Sequence, residues 1–253
     1  VPRLPILDRR GEASARLDQE QEKQERPVSF IPWRQFDRDV QFDQGDHITL
    51  VGRTKSGKTT LAVGGLLPHF TWSVVMATKV KDDKLYAPLE AQGFVMSANP
   101  ALDAKRHPKI IFKPPLKGAT KADKEQQAEM FRQVLGVAFA EGGWAIYMDE
   151  VRYLSDNMGL KTELETLWLQ GRSLGITMIA ATQNPVSIPR VAFDQVEHLF
   201  FWRQTERERV KQMADMAGSE AATVKSVVPR LPQHEALYVH PADDRMYRTK
   251  YQV

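Results

Sequence analysis

The chain has no cysteine among its 253 residues. That excludes disulfides, thiolate metal centres and cysteine nucleophiles, and it fits a reducing compartment. No stretch approaches the ~20 consecutive apolar residues that cross a bilayer, so a membrane span is not expected. Residues 1–26 lack the apolar core of a signal peptide. Charge of one sign is in small excess: the net charge is +3 and the pI about 9.0, a weak pull towards polyanions. No internal repeat is visible. His47, His69, His107, His198, His234 and His240 are scattered, without a ligand spacing such as H-E-x-x-H, and His47 reads as a strand-start residue.

What is present reads as layered α/β. Residues 1–26 form a polar, charge-mixed arm or linker with too few apolar residues to build core. Residues 27–253 read as one domain, its core at about 42–217. Residues 27–40 alternate enough to predict a short strand or extended segment. Buried strands are predicted at 47–51, 72–77, 144–148, 176–181 and 198–202, with shorter ones at 94–96 and 109–112. Helices are predicted at 58–66, 122–140, 160–170 and 206–217, and residues 236–240 and 246–249 as a C-terminal hairpin. Strands alternating with helices imply a mainly parallel central sheet flanked by helices. The aromatics Trp144, Trp168, Phe200, Phe201 and Trp202 fall in apolar runs and read as core rather than as base-stacking groups.

Two local patterns carry chemistry. Gly52-Arg53-Thr54-Lys55-Ser56-Gly57-Lys58-Thr59 fits G-x-x-x-x-G-K-[ST], after a hydrophobic strand and before a helix. Two glycines let the backbone approach phosphates, successive N–H groups make an anion nest, and Lys58 reaches the β- and γ-phosphates. The Thr59 hydroxyl suits Mg²⁺, and Gly52 to Thr60 become the candidate nucleotide-binding set. The second pattern is Trp144-Ala145-Ile146-Tyr147-Met148-Asp149-Glu150, a buried strand that delivers two carboxylates. Asp149 suits Mg²⁺ and Glu150 suits polarising an attacking water, which points to Mg-dependent ATP hydrolysis rather than transfer to an alcohol. Gln183, at the end of the 176–181 strand, is placed to sense the γ-phosphate or orient the water.

With the stretch Gln170-Gly171-Arg172-Ser173-Leu174-Gly175-Ile176-Thr177-Met178-Ile179-Ala180-Ala181-Thr182-Gln183-Asn184-Pro185, these elements resemble the FtsK–HerA superfamily of DNA-translocating ATPases. The resemblance covers about residues 45–216. It implies a RecA-like P-loop core, Lys58 and Thr59 as Walker A, Asp149 and Glu150 as Walker B, and Gln183 as the sensor glutamine. It further implies a homo-oligomeric, typically hexameric ring acting on double-stranded DNA. The small size looks most like the compact genome-packaging ATPases of viruses and phages. That implies a capsid or portal-vertex partner, and a cytoplasmic location or one at a virion or procapsid vertex. Conjugation or segregation translocases and a RecA-like helicase remain alternatives; a regulatory P-loop NTPase or kinase is the alternative of another class. A terminase-type motor would bring a nuclease domain for which there is no room.

Ring ATPases complete each site with an arginine from a neighbour. Arg172 is the first candidate, Arg203 the second and Arg190 the third. DNA phosphates need Lys or Arg on exposed loops. Residues 101–125 hold seven Lys/Arg against three Asp/Glu, and Lys105, Arg106, Lys117, Lys121 and Lys124 are candidates there. Asn157 and Lys161, after the acid pair, are further candidates.

Overall fold

A computed structural model describes residues 27–102, 106–115, 118 and 120–252. The polar arm read at residues 1–26 lies outside them. So do Lys105 and Lys117.

The first described element is a helix, α1 (Trp33–Asp39), in place of the expected extended segment. Pro32 sits at its N-cap, and one buried side chain, Phe36, anchors it. A seven-residue helix with a single apolar anchor shows no 3.6-residue period, so the pattern does not reveal it. β1 (His47–Val51) follows and leads into the glycine-rich loop. α2 (Lys58–Leu61) passes directly into a π-type turn at Ala62–Leu66, which divides the single helix expected there.

Next come β2 (Ser73–Met76), α3 (Asp83–Ala91), β3 (Val95–Ser97) and β4 (Lys109–Phe112). α3 is absent from the sequence reading, because Pro88 sits inside it and proline normally argues against a helix interior. α4 (Lys121–Glu141) begins at a capping box, with Thr120 accepting from the Asp123 backbone and Asp123 returning the bond. β5 (Ala145–Met148), α5 (Lys161–Gln170), β6 (Thr177–Thr182), α6 (Arg190–Asp194) and β7 (Val196–Trp202) complete the parallel part. α7 (Arg207–Met216) and α8 (Ala221–Val227) precede the hairpin β8 (Ala236–His240) and β9 (Arg245–Thr249).

Among the described residues one sheet of nine strands has the order β3-β4-β2-β5-β6-β1-β7-β8-β9. β3 to β7 pair in parallel along that order, and the two hairpin strands close it antiparallel. The central strands are buried on both faces, which is why they read as unbroken apolar runs. Successive residues serve opposite faces. Ile146 and Met148 pack with Phe131, Val134, Leu164 and Trp168 of α4 and α5. Ala145 and Tyr147 pack on the other face, with Leu61, Leu66, Leu89 and Phe36. Phe36 meets Phe200 and Tyr238 edge-on at ring separations of 5.8 and 4.8 Å, so α1 is fixed to the hairpin side of the sheet.

This topology places function-bearing loops at one end. The loops after β1, β5 and β6 leave the carboxyl ends of three adjacent parallel strands, where a sheet of this type presents its ligand crevice.

Candidate active site

The glycine-rich loop is shaped by two positions. Gly57 has φ +115°, a conformation open to glycine, and it aims the start of α2 at the loop. A Cβ on Gly52 would lie 2.7 Å from Ser56 Oγ and 2.8 Å from Trp202 Cβ, so only glycine lets the loop pass between them. Lys58 is buried, and its ammonium donates to the carbonyls of Gly52 (2.6 Å) and Arg53 (3.1 Å). Burial pulls its pKa below the ordinary lysine value, opposed by Asp149 and Glu150. The lysine therefore sits inside the loop, beside the backbone N–H groups that would cradle a phosphate.

β5 delivers the acid pair to this loop. Thr59 Oγ1 donates to Asp149 Oδ1 at 2.6 Å, and Tyr147 Oη donates to the same oxygen at 2.8 Å. Lys79 Nζ donates to Asp149 Oδ2 at 2.9 Å and to Asp82 Oδ2 at 2.7 Å. Burial alone would raise the Asp149 pKa, but the bonds from Thr59 and Lys79 outweigh it and hold the value below the ordinary one. Asp82 and Asp149 together raise the Lys79 pKa against the opposing effect of burial. A hydroxyl and a carboxylate oxygen 2.6 Å apart are the hard donors that suit Mg²⁺, an ion that takes few protein ligands beside phosphate and water. Thr59 and Asp149 thus fit the metal role expected of them.

Glu150 is directed the other way. Thr182 Oγ1 donates to its Oε1 at 3.2 Å and Gln183 Nε2 to its Oε2 at 3.4 Å. Gln183 Oε1 in turn accepts from Thr54 Oγ1 at 2.8 Å. Gln183 thereby links the glycine-rich loop to the second carboxylate, a contact spanning β1, β5 and β6. Burial pushes the Glu150 pKa up, and the bond from Thr182 and the charge of Lys58 offset that only partly.

The two neighbouring carboxylates are therefore split. As pH falls, Glu150 takes its proton before an ordinary glutamate would, while Asp149 stays ionised further than an ordinary aspartate. Turnover that needs ionised Glu150 should be lost on acidification before metal–nucleotide binding is. Parallel pH profiles of hydrolysis and of fluorescent-nucleotide binding check this; coincident acidic limbs would contradict the split.

A cleft of about 660 Å³ opens beside the loop. It is lined by Arg53, Thr54, Lys55, Ser56 and Gln183 and also by Arg203 just past β7, Arg209 of α7 and His234 in the loop before β8. Four of its lining residues are Arg or Lys and none is acidic, a charge balance that favours a polyphosphate. Arg209, Gln233 and His234 carry no signal in the sequence that marks them as site residues. His234 Nδ1 lies 3.2 Å from the Ser56 carbonyl across 178 residues, a contact that no local pattern announces.

The three arginine candidates fall in three places. Arg203 lines this cleft of its own chain. Arg190 lines a separate groove with Asp156, Lys161 and Asp215. Arg172 lies at the amino end of β6, the end opposite the acid pair, where it pairs with Glu197 and sits 3.7 Å from Asp46. Its side chain keeps 60% of its surface exposed. Of the candidate DNA contacts, Lys121 and Lys124 stand exposed in the first turns of α4, Lys121 3.6 Å from Glu125. Lys161 opens α5, 3.8 Å from Glu165, and Asn157 lies in the π-type turn before it. Arg106 lies in the segment before β4. α4 and α5 both start at the carboxyl end of the sheet, the end that carries the phosphate loop.

No protein-family model matches the chain, and no curated protein is similar to it in sequence. Solved structures are similar to it in fold. The genome-packaging NTPase B204 of Sulfolobus turreted icosahedral virus 2, in complex with ATP-γ-S, superposes with a TM-score of 0.63 at 14% identity, covering 84% of this chain and 100% of that one. Its sulfate complex gives 0.62 at 14% identity, with 84% and 99% covered. VirB4 of Thermoanaerobacter pseudethanolicus gives 0.58 at 12% identity, with 82% and 89% covered. At these identities the likeness is one of fold. The chain has their fold: a P-loop α/β sheet, mainly parallel and closed by a C-terminal antiparallel hairpin.

Proposed function

We propose that this chain is a Mg-dependent ATPase that drives double-stranded DNA, most specifically a viral genome into a preformed capsid. The observation that carries the reading is the joining of two half-sites. Thr59 meets Asp149, and Gln183 bridges Thr54 and Glu150, all at the carboxyl ends of adjacent strands. A kinase that transfers phosphate to an alcohol needs the first half; a carboxylate base with its orienting amide belongs to hydrolysis.

In this reading the loop N–H groups and Lys58 hold the β- and γ-phosphates, and the cationic cleft with Arg53, Arg203 and Arg209 receives the rest of the nucleotide. Mg²⁺, held through Thr59 and Asp149, supplies charge neutralisation on the phosphates. Glu150 accepts a proton from the attacking water. Gln183 fixes the Glu150 carboxylate and carries the state of the loop to it. Arg172 acts on a neighbouring subunit in a ring, taken as hexameric. Lys121, Lys124 and Lys161 offer phosphate contacts to duplex DNA, with a capsid or portal-vertex protein as docking partner.

The packaging reading leans on the near-complete overlap with the B204 fold, which spans 84% of this chain and all of that one. The VirB4 likeness keeps a conjugation-type translocase as the second reading.

Steady-state ATP hydrolysis with and without long duplex, with Glu150→Gln as blank, tests the motor. Stimulation by duplex and little by single strands is expected. Hydrolysis indifferent to all DNA would remove the translocase reading and leave a P-loop ATPase of another kind. Replacing Lys121, Lys124 and Lys161 together should weaken duplex binding and flatten its salt dependence, by about one unit of log–log slope for each DNA phosphate no longer neutralised. ATP binding should not change.

A further inference from the structure

Lys79 belongs to neither the phosphate loop nor the acid pair. It lies three residues beyond β2, the strand beside β5, and its ammonium bridges Asp149 Oδ2 and Asp82 Oδ2 at 2.9 and 2.7 Å. The bridge is built in. Tyr86 Oη of α3 donates to the Lys79 carbonyl at 2.7 Å, and Lys113 Nζ donates to the Val80 carbonyl at 2.6 Å, so the loop is pinned from two sides. Asp82 is the N-cap residue of α3, and its carboxylate makes no cap hydrogen bond, which leaves it to the lysine. The other Asp149 oxygen is taken by Thr59 and Tyr147.

A divalent cation beside Thr59 and the Lys79 ammonium are drawn to one carboxylate, and two cations there repel each other. We propose that Lys79 is the resident counter-cation of Asp149, competing with Mg²⁺ for that carboxylate and passing to Asp82 when metal–nucleotide binds. This rests on the Mg-nucleotide reading above. The handover is inexpensive, because the lysine keeps one partner throughout and its flexible stem needs only a small rotation. Lys79 is a positioning residue in this scheme: it sets the Mg²⁺ concentration at which the site closes on nucleotide, and it keeps Asp149 aligned with Thr59 until then.

The test is equilibrium binding of a fluorescent ADP derivative to the full chain at increasing free Mg²⁺, which reads the metal without turnover. Lys79→Met should lower the Mg²⁺ midpoint by about fivefold, the scale of a partly exposed ion pair. Lys79→Arg keeps the charge and should stay within about twofold of the unchanged protein. Asp82→Asn removes the second berth and should raise the midpoint, and this rise should vanish in a Lys79→Met background, as coupling through the lysine requires. A midpoint that stays put or rises in Lys79→Met overturns the proposal, as does an Asp82→Asn effect that persists without the lysine. If the unchanged chain binds the nucleotide with no response to Mg²⁺, the counter-cation role falls while nucleotide binding stands. If it binds no nucleotide at all, the functional reading itself falls.

Discussion

Glu150→Gln is expected to lower ATP turnover by about 10³-fold, within the range that general-base removal gives, while leaving Mg-nucleotide affinity within about twofold. The substitution is nearly isosteric. The amide oxygen still accepts from Thr182 Oγ1, so the strand ends stay in register. What is lost is the group that accepts a proton from water. The second hydrogen bond shows why glutamine cannot substitute: Gln183 Nε2 donates to Glu150, and an amide nitrogen placed there would face another donor. Lys58→Ala should differ in kind. It removes a buried cation held at two carbonyls of the glycine-rich loop, the group expected to bind the phosphates, so nucleotide binding itself should fall. Pre-steady-state hydrolysis alongside equilibrium binding separates the two variants. A Glu150→Gln protein within tenfold of normal turnover would place the base elsewhere.

The legible parts of this site are those written within a few residues. The glycine-rich loop is one contiguous string, and its turn chemistry and lysine are visible without a fold. The acid pair follows an apolar strand whose burial on both faces leaves no alternation, and Ala145–Met148 is fully buried in the sheet. Gln183 can be placed because a parallel sheet puts strand ends on one edge. Its actual partners, Thr54 and Glu150, lie 129 and 33 residues away and cannot be read from the string. Lys79 escapes for the same reason, since 70 residues separate it from Asp149. α1 and α3 are hidden by local signals that tertiary packing overrides. Trp33–Asp39 presents one buried apolar side chain, and Asp83–Ala91 carries a proline that its neighbours tolerate once Leu85, Tyr86 and Leu89 are buried. α8 is a short run of small and β-branched residues whose helical form is decided by packing of Thr223 and Val224.

Arg172→Ala is expected to cost about 10³-fold or more in turnover, the scale of an arginine finger, without loss of nucleotide binding. Within one chain the residue has no route to its own phosphate site. It leaves α5 at the amino end of β6, whereas Thr182, Gln183 and the acid pair lie at the carboxyl end of the same and the adjacent strand. The sheet stands between them. Only a neighbouring copy can bring such an arginine to a γ-phosphate, and its exposed guanidinium is free to reach out once Glu197 releases it. Its pairing with Glu197 and Asp46 supplies the competing account, a structural ion pair between an exposed arginine and a buried carboxylate. Subunit mixing decides between them. Neither Arg172→Ala nor Glu150→Ala alone should hydrolyse ATP at speed. In an equal random mixture about one interface in four joins an intact Glu150 to an intact Arg172 from the next subunit, and activity should return at those interfaces. Full activity of Arg172→Ala alone, with only a small shift in melting temperature, would make the residue a structural cation. The finger would then have to be sought at Arg203, already beside the phosphate loop of its own chain, or at Arg190 in its separate groove.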